Sequence, residues 1–183
     1  MLKSTSQTYG NAARFLHWSS AILILTMIPM GIAMTRIADG SVKSTLYLIH
    51  VNLGLVVLLL TALRVLWRFI EPSPSLPTGL SPARQWLFKA VHTGQYLFLI
   101  GLIITGIGTF MATGPLASVI PETAALTLPA AHSLLSKVFM GLLVAHLTGI
   151  VQYQLTKGDV LTRMGFPKAL LKNIPAKTTF GKE

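Results

Sequence analysis

The chain has 183 residues, 52% of them hydrophobic and 11% charged, with a mean hydropathy of +0.64. Soluble domains carry about 25% charged residues, so this is an integral membrane protein, long enough for a single membrane domain over 1–183 and no second one. It has no cysteine, which excludes disulfides, thiolate-held iron–sulfur clusters, zinc knuckles and covalent haem attachment, and its net charge of +10 points to basic loops at a lipid bilayer, not to nucleic acid.

Four spans are expected, each near the roughly 20 residues needed to cross a bilayer. The first, about 13–36, is uncharged from Phe15 to Thr35 and contains His17. It lacks a short apolar core followed by a cleavage site, so it reads as a retained helix and not a signal peptide. The second, about 44–69, is uncharged from Ser44 to Leu63, holds His50, and ends in Arg64 and Arg68. Glu71-Pro72-Ser73-Pro74-Ser75-Leu76-Pro77 then reads as an extended linker. The third span, about 88–112, opens with His92 in a stretch uncharged from Ala90 to Pro121. The fourth, about 130–156, begins near Pro129 and carries His132, His146 and one charge, Lys137. A basic tail, 157–183, follows, and its Lys-rich part after Pro167 is expected to be a mobile, lipid-facing end. The fold class is therefore all-α, a four-helix transmembrane bundle. Basic residues flank the first span's start, the second connection and the chain's end, whereas the first connection has only Arg36 and Lys43 and the third has none. The positive-inside rule puts both termini in the cytoplasm.

All five histidines lie in or at the mouth of a span. Ionisable residues inside a membrane are costly and mark function. A lone histidine reads as a hydrogen-bonded packing residue, but five in two layers, with no other metal-ligand type nearby, point to haem. Without cysteine the haem must be b-type and non-covalent. The step from His132 to His146 is 14 residues, about 40° short of four full turns and a rise of about 21 Å. One helix can therefore give a ligand to each of two haems stacked across the membrane. On the periplasmic side only His50 and His132 are available, and two imidazoles complete a six-coordinate haem. On the cytoplasmic side His17, His92 and His146 compete for two places, with His146 favoured because it shares a helix with His132.

The same step from His17 reaches Gly31 and from His50 reaches Arg64. Gly31 is a candidate for close approach to the periplasmic haem. Gly54, Gly106 and Gly149 have similar roles open to them, or serve helix–helix contact. Arg64 can pair with a haem propionate or snorkel to the headgroups, and Lys137 has the corresponding choice on the periplasmic side. Met27, Met30, Met34, Met111 and Met140 read as apolar packing.

Several motifs resemble, in order and over nearly the whole chain, the prokaryotic cytochrome b561 family. They are Arg14-Phe15-Leu16-His17-Trp18, His50-x-x-x-Gly54, Leu63-Arg64-Val65-Leu66-Trp67-Arg68, His92-x-x-x-Tyr96, Thr105-Gly106, the His132/His146 step, and Lys157-Gly158-Asp159-Val160-Leu161-Thr162-Arg163-Met164. The resemblance extends to the cytochrome subunits of formate dehydrogenases and nickel–iron hydrogenases. It implies a di-haem b cytochrome of the bacterial inner membrane, with His17 paired to His146 and His50 to His132. His92 is then left to hydrogen-bond a propionate or to serve a quinone. Members often have a second histidine shortly after the position of His146, where this chain has Gln152 and Gln154. The function implied is electron transfer between a periplasmic donor and the quinone pool, ubiquinone being the expected acceptor or donor. One bacterial member is described as a superoxide oxidase, an activity that a cation such as Lys137 would assist by attracting the anion. The alternative is a membrane-anchor subunit for a periplasmic redox partner.

Overall fold

The computed structural model describes residues 3–71, 73–114, 118–157 and 160–167. Pro72 of the linker, Gly158-Asp159 of the closing motif and the basic tail with Lys168, Lys172, Lys177 and Lys182 lie outside the described residues, as does the side chain of Lys157.

Among the described residues every regular element is an α-helix: α1 (Asn11–Met34), α2 (Ser41–Ile70), α3 (Pro82–Thr113), α4 (Glu122–Lys157) and the short α5 (Val160–Arg163). The first four are long and apolar enough to cross a membrane. They also overrun the apolar stretches. With 36 residues, α4 is about 54 Å long at 1.5 Å per residue, against a hydrocarbon core of about 30 Å. A charge ends an apolar window but not a helix, so local capping decides where each begins. Ser81 caps α3, its hydroxyl accepting from the Arg84 amide at 3.4 Å, and Pro82 takes the first helical position, where its missing N–H costs nothing. The helix thus starts at 82, ahead of the span at 88. The fourth helix likewise does not open at Pro129. It starts at Glu122 and runs through the proline, which forfeits one backbone bond without ending the ladder.

The helices pack as two hairpins. α1 lies along α2 and α3 along α4, with a lighter contact between α2 and α3; neither α1 nor α2 packs along α4. The buried apolar core is small: Val57, Leu99 and Phe139, flanked by Leu23, Ile24, Met27, Phe98, Leu102 and Ile103. The outer surface is apolar, with Leu59, Leu126 and Val144 each more than half exposed, as a lipid-facing bundle requires.

At one end, called here the terminal end, the segment before α1, the connection from α2 to α3 and the turn after α5 are sewn together. The Tyr9 amide donates to the Arg163 carbonyl at 3.1 Å, and the Ser75 amide to the Ser6 carbonyl at 3.1 Å. Arg163 donates to the carbonyls of Gln7 and Ser75. Tyr153 reaches from α4 to the Thr78 carbonyl at 2.9 Å. Residues 73–77 carry no regular structure, as expected for the linker, yet these bonds hold them in place. α5 ends on Gly165, whose φ of +95° lets the Phe166 amide return to the Leu161 carbonyl at 3.1 Å, a left-handed cap that favours glycine. At the opposite end, the loop end, Lys43 pairs with Asp39 across one turn at 2.7 Å.

Glu71 is the buried carboxylate of the terminal end. Burial pushes its pKa up, but the Ser4 amide and the Trp67 indole, which both donate to it, outweigh that and hold it below the ordinary 4.5. A depressed folded-state pKa gives stability that is complete above the unfolded value and lost as pH falls through the folded one. Acidification below pH 4.5 should therefore release the N-terminal segment, read as a change in Trp67 fluorescence that Glu71→Gln abolishes.

Candidate haem-binding site

The structure brings the histidines together in the space between the hairpins. His17 of α1 faces His146 of α4 with ring centroids 6.4 Å apart and planes at 59°. His50 of α2 faces His132 of α4 at 6.4 Å and 79°. With metal–imidazole bonds of about 2.0–2.1 Å, the value for zinc, and a centroid about 1.1 Å beyond each nitrogen, two trans imidazoles have centroids roughly 6.3 Å apart. Both pairs match that separation. The helices bearing each pair are bridged by side chains and not by backbone packing, which suits a flat macrocycle between them. Among the described residues no group of three or more His, Asp or Glu is arranged to hold a metal ion by itself. Each facing pair would offer two donors, the number that a b haem's iron would take from the protein.

The His132 ring is oriented from behind. At the loop end, His132 Nδ1 donates to the Leu102 carbonyl at 3.0 Å and lies 3.2 Å from Thr105 Oγ1. A carbonyl only accepts, so the proton is on Nδ1 and Nε2 keeps its lone pair, the arrangement that fixes a metal-binding histidine. Glycine secures close approach at Gly106, whereas at Gly31 a methyl would make ordinary contact. A Cβ on Gly106 would lie 3.2 Å from His132 Cε1, and one on Gly31 would lie 3.6 Å from His50 Cε1. The 14-residue step from His17 thus lands beside the loop-end pair. Gly54 instead faces Met27, and Gly149 has open space, so neither abuts a histidine ring. His50 Nδ1 is buried without a hydrogen-bond partner.

At the terminal end three histidines meet. His92 lies edge-on to His146 at 5.0 Å, too close for a metal between trans rings. Its Nδ1 donates to the Phe88 carbonyl one turn back at 2.7 Å, and its ring stacks on Phe88 at 4.1 Å. Arg64, the landing point of the step from His50, places Nη2 3.2 Å from His17 Nδ1 and its guanidinium 5.2 Å over the Tyr96 ring. The structure does not bring Lys137 to a histidine pair. It is exposed, and five residues from His132 put it about 140° around α4, on the outward face.

Composition did not single out Arg14. Its Nε is buried without a partner, one turn before His17. The signal was available in the Arg14-to-Trp18 motif, but a charge at a helix mouth reads first as an orientation signal.

The model of the prokaryotic cytochrome b561 family matches residues 8–167. The chain is similar to cytochrome b561 homolog 2 of Escherichia coli (strain K12), 31% identical over 105 residues, covering 56% of this chain and 55% of that protein; the match thus spans about half the length of the relative. No solved structure matches the chain. The family match takes in all five histidines and the four membrane helices, and on it the chain belongs to the prokaryotic cytochrome b561 family, multi-pass membrane proteins that carry b-type haem in electron transfer.

Proposed function

We propose that the protein is a di-haem cytochrome that carries electrons across the bacterial inner membrane, with both termini cytoplasmic, between a periplasmic donor and the quinone pool. The observation that carries the reading is the equality of two histidine separations, 6.4 Å for His17–His146 and 6.4 Å for His50–His132, about 21 Å apart along α4 by helical rise. The haems supply one-electron redox chemistry. The chain holds them, fixes their spacing and tunes them through burial and nearby charge. His50 and His132 would hold the loop-end haem, and His17 and His146 the terminal-end haem, with Arg64 beside its propionates.

Quinone reduction needs protons as well as electrons. His92 is the titratable group at the terminal-end site that is not spent on ligation. A cleft of about 370 Å³ between the end of α2 and the start of α3 is lined by Val65, Arg68, Phe69, Thr93, Tyr96 and Leu97. The groove is open on one side, and Tyr96 on its wall sits one turn from His92. These features support a quinone headgroup at the terminal end. Purified protein should contain two b haems per chain. Superoxide as donor predicts rapid haem reduction by superoxide followed by quinone reduction. Indifference to superoxide, with a larger redox protein co-purifying, would assign the chain to the subunit role instead.

A further inference from the structure

Among the described residues Arg14 is a cation without a counterpart: its side chain has no hydrogen bond and no ion pair, and its Nε is fully covered. The residue as a whole is half-buried, and its covered Nε is a donor that lacks an acceptor, which is costly. The buried acid of this end, Glu71, is engaged by Ser4 and Trp67 and does not serve it. Arg14 lies three residues before His17, about 4.5 Å along α1 toward the terminal end and about 60° around it. It is also held in place. The turn after α5 closes on it so tightly that a Cβ at Gly165 would sit 3.0 Å from Arg14 Cδ and 3.2 Å from Nη1. Trp18 pins the same turn, donating to the Met164 carbonyl at 3.1 Å and packing edge-on to Phe166 at 5.3 Å.

Arg64, the second guanidinium here, is not satisfied by a carboxylate either. It can only donate, so where it meets His17 the imidazole Nδ1 accepts. A ring that binds iron through Nε2 carries its proton on Nδ1, and Arg64 then needs another acceptor. Among the described residues two guanidiniums lacking anions therefore flank His17, and a b haem brings two carboxylates.

We infer that Arg14 and Arg64 form a two-cation seat for the two propionates of the terminal-end haem, with Gly165 and the turn after α5 holding Arg14 in place. This rests on the terminal-end haem proposed above. It makes the turn after α5 a part of the cofactor site.

The test uses full-length protein in detergent, with variants Arg14→Gln, Arg14→Lys and Gly165→Ala, and follows loss of haem to an excess of apo-globin. Each chain is loaded with haem b or with haem dimethyl ester, in which the carboxylates are masked. Arg14→Gln should lose the terminal-end haem about tenfold faster or more, the scale of a charge-assisted hydrogen bond. Arg14→Lys should lie between Arg14→Gln and the parent, and Gly165→Ala, which strains the left-handed turn and crowds the guanidinium without removing it, should move the same way. With the dimethyl ester all four chains should behave alike. Unchanged haem retention in Arg14→Gln overturns the seat, and so does an equal loss for acid and ester, which would show Arg14 to be a structural brace. Should Arg14→Gln not fold, the acid–ester difference between Gly165→Ala and the parent decides. His17→Ala is run alongside: if it costs no haem, the terminal-end site itself falls, an outcome separate from a seat that fails while that haem remains.

Discussion

Replacing His132 with alanine should take the purified protein from two b haems per chain to one, with the terminal-end haem kept. The reason is geometric. His132 is half of the loop-end pair, its Nε2 is presented by a bond from Nδ1 to the Leu102 carbonyl, and no third histidine lies at that end to substitute. His50→Ala should give the same spectrum of loss. Gly106→Leu should reproduce it with both histidines intact, because even a Cβ there reaches within 3.2 Å of the His132 ring. The measurement is haem-to-protein ratio together with a low-temperature reduced-minus-oxidised spectrum. Two haems retained in His132→Ala would dissolve the pairing.

His92→Ala should behave in the opposite manner: both haems stay, and quinone turnover falls by about a hundredfold, the lower range of what a positioned proton donor contributes. Its ring is 5.0 Å from His146 against 6.4 Å for His17, so it is a neighbour of the terminal-end pair and not a member. Stopped-flow quinone reduction in the pre-reduced protein measures the effect. Loss of a haem band instead would make His92 a ligand and remove His17 from that place.

How much of this was legible in the chain is best seen residue by residue. The four helices follow from uncharged stretches, because lipid forces the backbone to satisfy its own hydrogen bonds. Their ends do not follow, because caps such as Ser81 and the continuation through Pro129 act outside the apolar window. The 14-residue step on α4 is helical arithmetic and needed no partner. Choosing between His17 and His92 for His146 depends on how far α1 and α3 stand from α4, a tertiary distance that no spacing along one helix contains. Gly106 and Gly149 looked alike as small residues, yet one abuts His132 and the other faces open space. Lys137 shows the converse. Its depth in the span suggested a partner for a propionate, while its angle around α4 turns it outward. The terminal end was the least visible part, since its bonds join residues as far apart as Gln7 and Arg163 through backbone atoms that leave no compositional trace.

α4 supplies one histidine to each pair, and among the membrane helices it is the last to leave the ribosome. Neither pair exists until it has been inserted, so with the proposed ligands haem loading would follow membrane integration of the fourth helix and would not accompany synthesis hairpin by hairpin. The α1–α2 hairpin must wait in the bilayer with His17 and His50 unmatched. The turn after α5, made later still, shuts the terminal end over Arg14. Maturation is therefore ordered by the position of one helix in the chain.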